Sequence, residues 1–231
     1  MQSIDINCDM GESTKLWPYA VEHDLALLQF VSSINIACGA HAGDAATMQL
    51  LLLAATKNSN AIGAHPSFED KENFGRTNHT LPPAHLYEIV TKQIKQLLTV
   101  AASCQATVTH VKPHGALYNM AAKDYLLAKA IAQAVKDSGI QKLYGLSGSQ
   151  LIKAADELGL QAVSEVFADR TYQPDGSLTP RIAPNALIEE EGNALQQVLQ
   201  MIQQHTVTAT NGTVVAIKAD TVCIHSDGKH A

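Results

Sequence analysis

The sequence predicts an α/β fold in which parallel strands alternate with helices, and a closed β/α barrel fits it better than a doubly wound open sheet. Three observations carry that reading. Short β-rich runs alternate with longer amphipathic stretches along the whole chain. No repeat of fixed period, low-complexity tract or Gly/Ser linker divides the 231 residues, so one domain is expected over 1–231, within the ~250 that a single barrel reaches. Ionisable residues collect just after the strand-like runs, where barrels and open sheets alike place their function. Periodicity does not say whether the sheet closes.

In chain order, strands are expected at 3–9, 32–38, 61–65, 107–112, 142–147 and 162–167, with one or two further pieces between 214 and 225. The helix at 45–58 (AATMQLLLLAATKN) opens behind Asp44 as an N-cap and carries apolar residues at helical spacing. Stretches 87–104, 124–137, 149–158 and 189–205 read the same way. Connections 10–16, 39–44, 66–83, 113–116 and 168–184 precede helices, and several exceed the roughly two to six residues a plain βα loop needs.

Composition narrows the partners. With 16 Lys+Arg against 22 Asp+Glu, the formal net charge is -6, which argues against a phosphate-backbone surface for nucleic acid and for a small molecule. No apolar run approaches the ~20 residues of a membrane span, and the start MQSIDINCDMGES lacks the basic and apolar regions of a signal peptide, so a cytoplasmic location is expected. Four scattered cysteines suggest neither disulfides nor a zinc knuckle. Ten histidines against 5% aromatics make their placement the main question.

The strand ends answer it. The first gives Asp9 and, a turn later, Glu12; the second Asn35, His41 and Asp44; the third His65; the fourth His110, Lys112 and His114 in HVKPHG. Asp169 and Arg170 follow the sixth, and Asp220, His225 and Asp227 the last. Ionisable groups are costly to bury alone, so packing explains this concentration poorly, although each residue has a plain alternative as a cap or rigid loop member. Two chemistries fit an aspartate and three histidines facing one pocket. In one they hold a divalent metal that polarises an amide carbonyl and activates water. In the other Asp9 or a histidine is the base, Lys112 or a protonated histidine stabilises the oxyanion, and another histidine protonates the leaving nitrogen. H-E-x-x-H and H-x-H are absent, so spacing leaves the metal unknown. The loop EVFADRTYQPDGSLTPR reads as a lid whose Arg170 and Arg181 suit a carboxylate or phosphate, and PSFEDKENFGR brings Arg76 to an anion. There is no P-loop; GLSGS at 145–149 offers only a weak anion cradle.

Taken together, DINCDMGES, INIACGAHAGD, IGAHPSFED with NFGR, HVKPHGALYN, EVFADRTYQPDGSLTPR and TVCIHSDG, collinear from residue 5 to 228, make the chain resemble the LamB/YcsF family. The resemblance implies a seven-stranded, TIM-like β/α barrel of the glycoside hydrolase/deacetylase type. It also implies one component of an ATP-dependent 5-oxoprolinase, which opens the lactam of 5-oxo-L-proline to L-glutamate together with the 5-oxoprolinase subunits B and C, ATP with Mg being the co-substrate. In that setting Asp9, His41, His65, Lys112 and His114 are the expected catalytic group, and Glu12, Asn35, Asp44, Arg76, Asp169, Arg170 and Arg181 the expected substrate contacts. ATP coupling is chemically reasonable, because phosphorylating the amide oxygen turns a resonance-stabilised lactam into a good electrophile. Without a P-loop, ATP is expected to bind unconventionally or with help from the partners. One departure is that the chain stops at Gly228-Lys229-His230-Ala231, where the family runs on into a further helix. Two competing readings are a self-sufficient metal-dependent amidohydrolase or deacetylase on the same barrel, and a non-catalytic protein that presents an oxoproline-like ligand to a partner enzyme.

Overall fold

A computed structural model describes residues 3–16, 18 and 21–224, so the expected strand-end residues His225 and Asp227 lie outside the described residues. The sheet closes. Seven parallel strands pair in the order β1 (Asp5–Met10), β2 (Ser33–Ala37), β3 (Ala61–His65), β4 (Val108–Val111), β5 (Lys142–Leu146), β6 (Gln161–Phe167) and β9 (Thr221–Cys223), with β9 bonded to both β6 and β1. Part of the expected last-strand region leaves the barrel: β8 (Val214–Ala216) pairs antiparallel with β7 (Thr206–Thr208) as a separate hairpin.

Helices α1 (Val21–Leu27), α2 (Ala45–Asn58), α3 (Pro83–Ser103), α4 (Gly115–Lys123), α5 (Tyr125–Asp137), α6 (Gln150–Glu157) and α7 (Glu191–Gln204) fill the connections. Their starts follow local chemistry. Asp44 accepts from Thr47 N at the head of α2, and Asp124 from Leu126 N and Leu127 N at the head of α5. α3 begins a turn earlier than periodicity alone indicates, because Pro83 has its φ preset for the first helical turn. Among the described residues no helix is long and apolar enough to cross a membrane.

Strand alternation divides the barrel. Ile34, Ile36, Ile62, Ala64, Val111 and Leu143 face outward into a core shared with α2, α3, α5 and α6. Val166 and Val222 do the same toward Met201 of α7 and Val207 of the hairpin. The opposite face of each strand fills the barrel with polar side chains instead: Asp5, Asn7 and Asp9 from β1, Ser33 and Asn35 from β2, His110 from β4, Glu165 from β6 and Thr221 from β9. Gly63 on β3 makes room for them, since a Cβ there would overlap His110 Nε2.

Candidate active site

The polar interior is layered. At the floor, Asp5 Oδ2 accepts from Ser33 Oγ (2.9 Å), Thr221 Oγ1 (2.6 Å) and Tyr144 OH (3.3 Å). Above it, Asn35 Nδ2 donates to Asn7 Oδ1 (2.9 Å) and Asp9 Oδ1 (2.8 Å), which turns Asn35 Oδ1 toward His110 Nε2 at 2.9 Å. His110 is neutral: burial first, then Lys142 and Lys112, push its pKa down to about 3, so it donates one proton to Asn35 without becoming charged.

The next layer is ionic. Lys112, just beyond β4, sets Nζ 2.9 Å from Asp9 Oδ1, 2.8 Å from Glu165 Oε1, 3.1 Å from Asn7 Oδ1 and 3.2 Å from Cys223 Sγ. Burial disfavours its charge, but Asp9, Cys223 and Glu165 hold its pKa well above that of a free lysine. An ammonium has three protons, and four acceptors surround them here. The expected role of Lys112 in stabilising a substrate oxyanion is therefore corrected: its donors are spent inside the barrel, and it positions Asp9. Burial likewise raises the Asp9 carboxyl, yet His65 and Lys112 outweigh it and keep that group ionised.

At the mouth, Glu12 and three histidines meet. His41 Nε2 lies 2.8 Å and His114 Nδ1 3.0 Å from Glu12 Oε1, while His65 Nε2 lies 3.0 Å from His114 Nδ1, 3.3 Å from Asp9 Oδ2 and 3.5 Å from Glu12 Oε1. The ligating atoms of Glu12, His41, His65 and His114 all fall within 4.8 Å of one another, so this set is the one able to hold a metal ion among the described residues. Burial lowers His65, but Asp9 and then Glu12 overcome it and lift its pKa to about 9; His41 goes the other way, to about 3, through burial and then the charge of His114. The backbone fixes two of the rings: His65 Nδ1 donates to Lys112 O (2.7 Å) and His114 Nε2 to Phe74 O (2.9 Å).

The loop after β3 covers this cluster. Phe74 meets the rings of His41 and His114 edge-on, and Arg76 stacks over Phe74 with its guanidinium carbon 4.8 Å from the ring centre. Phe74 holds a positive φ of 57°, unusual for a bulky residue, next to Gly75, where a Cβ would overlap Ser67 Oγ. The cluster reaches solvent only narrowly, with Asp9, Glu12 and His114 4–6% exposed. Two surface hollows lie beside the loop; one, of about 500 Å³, is lined by Cys38, Gly39, Ala40, Gln93 and Gln96 together with 69–72 and Lys92.

The remaining expected contacts separate. Asn35 belongs to the site as a support for Asp9. Asp44 does not reach it: exposed at the surface, it caps α2. Arg170 is 5% exposed and gives donors to Thr179 O (2.6 Å) and Ala186 O (3.3 Å), so it ties its own loop together, and the expectation that it reads substrate is corrected accordingly. Burial, then the charges of Arg181 and, more weakly, Arg76, lower Arg170 to about 10, so three arginines from two loops share one region, with Asp169 among them. Sequence reasoning missed Glu165, Asn7 and Phe74 as site residues. Asn7 was signalled by the period-two run Asp5, Asn7, Asp9, and Glu165 by a carboxylate set inside an otherwise apolar strand.

Fold and site together define a TIM-like β/α-barrel protein with a buried carboxylate–histidine centre at the carboxyl ends of its strands. The chain belongs to the LamB/YcsF family, whose sequence model matches residues 4–231. It is 50% identical over 232 residues to the A subunit of 5-oxoprolinase from Tolumonas auensis, covering 100% of this chain and 92% of that protein. It is 52% identical over 226 residues to the A subunit of 5-oxoprolinase from Bordetella pertussis, covering 97% and 89%. Among solved structures, the crystal structure of the lactam utilization protein from Thermus thermophilus superposes with a TM-score of 0.89 at 37% identity, covering 98% of this chain and 92% of that one.

Proposed function

We propose that this chain is the lactam-opening component of a cytoplasmic, ATP-dependent 5-oxoprolinase, converting 5-oxo-L-proline to L-glutamate with subunits B and C. The observation that carries the reading is the convergence of Asp9, Glu12, His65 and His114 on one buried point, in a chain half identical to proteins named as the A subunit of 5-oxoprolinase. Asp9, ionised and held by Lys112 and Asn35, takes a proton from water as that water attacks the lactam carbonyl carbon. A positive charge at the His65–His114 corner balances the negative charge carried by the phosphorylated lactam oxygen. As the ring C–N bond breaks, Asp9 passes the proton it took from water to the departing nitrogen. Arg76 and Arg181 suit the substrate carboxylate or a phosphoryl group. ATP, with Mg, transfers its γ-phosphoryl group to the lactam oxygen and leaves as ADP, so ring opening gives a γ-acyl phosphate that a second water hydrolyses to glutamate and phosphate; ATP binding draws on the partner subunits.

The test is glutamate release from 5-oxoproline by the purified chain, with and without ATP and with and without subunits B and C. Release only with ATP and both partners is expected. Release by the chain alone without ATP would replace the reading with an independent amidohydrolase.

A further inference from the structure

We propose that Glu12 Oε1, His65 Nε2 and His114 Nδ1 form the binding site of one divalent transition-metal ion, with His41 and Asp9 arranged beside it. This deepens the preceding reading, on which it rests, by giving the positive charge at the His65–His114 corner a chemical identity.

Lys112 O and Phe74 O can only accept, so the ring nitrogens facing them, His65 Nδ1 and His114 Nε2, carry the protons. In neutral imidazoles the other two nitrogens, His65 Nε2 and His114 Nδ1, then present lone pairs to each other at 3.0 Å, and both face Glu12 Oε1. Acceptors brought this close need a cation among them, either a shared proton or a metal ion. Anchoring the outer N–H of each imidazole to a backbone carbonyl is also how proteins fix histidine ligands in the right tautomer.

The three donor atoms stand 3.0, 3.0 and 3.5 Å apart. A point about 2.1 Å from all three, a normal metal–ligand length, lies about 1 Å out of their plane and leaves one side open for water or a carbonyl oxygen.

Asp9, Glu12 and Glu165 bring three carboxylates into the buried cluster against the one ammonium of Lys112, so with neutral histidines the formal sum is -2. One divalent ion cancels it, and buried charge is costly until it is paired.

His41 is not a ligand in this arrangement. Its ring lies parallel to that of His114, 3.9 Å away at 2°, and two parallel rings so spaced cannot both hold one ion in their planes. It donates to Glu12 Oε1 instead and orients the carboxylate. Two imidazoles and a carboxylate favour Zn²⁺, Mn²⁺ or Fe²⁺ over the all-oxygen surroundings of Ca²⁺.

The experiment strips the full chain with chelator and titrates it with Zn²⁺ by calorimetry and with Co²⁺ by visible absorption, without substrate, ATP or partners. Expected is one ion per chain with a Kd below about 10 μM, a Co²⁺ band abolished by Zn²⁺, and binding weakened at least about 100-fold in Glu12→Gln, His65→Ala and His114→Ala. His41→Ala should weaken it about 10- to 100-fold, as loss of an orienting partner does, and exposed His23→Ala should leave it unchanged. A folded chain that takes up no stoichiometric ion, or binding that survives Glu12→Gln and His65→Ala, would overturn the site. Glu12→Gln nearly conserves shape, so it remains informative if a histidine variant fails to fold. Because binding is read on the chain alone, its failure leaves lactam opening standing, and an ion-binding chain without turnover leaves the site standing.

Discussion

Lys112 Nζ and Glu165 Oε1 stand 2.8 Å apart inside the barrel, with side chains 3% and 0% exposed. Lys112 lies just beyond β4 and Glu165 on β6, so the pair reaches over the inner face of β5 and fixes the ammonium that in turn holds Asp9. Removing Glu165 takes away one of the two carboxylates that compensate the buried Lys112 ammonium and leaves Asp9 as the other. Glu165→Ala is expected to destabilise the fold by about 3–5 kcal/mol, read as a lowered urea midpoint, and Glu165→Gln by less. An unchanged midpoint for Glu165→Ala would mean that the pair does not organise the lumen.

Gly63→Ala tests the packing of the same interior. The added methyl would fall on His110 Nε2, and the ring has no free space because it stacks on Tyr144 at 4.2 Å. A loss of at least about 2 kcal/mol, or insoluble protein, is expected.

His110 also gives a pH signature. Its folded pKa of about 3 lies below the ~6.5 of an unfolded histidine, so between those values the unfolded chain binds a proton that the folded chain does not. Its contribution to stability is therefore complete above pH ~6.5 and falls as pH drops toward 3, by about 1.4 kcal/mol per unit. Lys142, Lys112, His65 and Asp9 face it electrostatically, and Tyr144 covers its ring. In urea titrations between pH 4 and 6, His110→Gln should show a shallower acid slope than the unaltered chain. Equal slopes would remove His110 as the source.

Asp44 separates a structural from a functional carboxylate. Asp44→Ala removes the N-cap of α2 and should cost about 1 kcal/mol in thermal or urea unfolding, with turnover per folded molecule unchanged. A selective rise in KM would return Asp44 to the substrate site.

Much of the barrel was legible in the sequence. The strands read well because outward Ile, Val and Leu alternate with inward polar residues, and α2 and α5 because their Asp caps precede clear apolar spacing. α1 and α4 were not, since α1 fully buries only Asp24 and α4 starts on a left-handed Gly115 inside a Pro- and Gly-containing stretch. Asp9, Glu12, His65 and His114 announced themselves at strand ends. Glu165 did not, because its partner follows β4, with β5 in between, and only the assembled sheet brings the two together. Arg170 and Asp44 show the reverse limit: residue type reveals what a side chain can bind, not whether its own loop or helix has already taken those bonds.

The central claim is that the buried Asp9–Glu12–His65–His114 cluster opens the lactam. The most direct measurement is ATP-dependent glutamate release from 5-oxoproline by the reconstituted complex carrying Asp9→Asn or His114→Ala, with folding checked by circular dichroism. The account predicts at least about a 100-fold loss of turnover in each. Turnover intact in both variants, in a correctly folded complex, would contradict it.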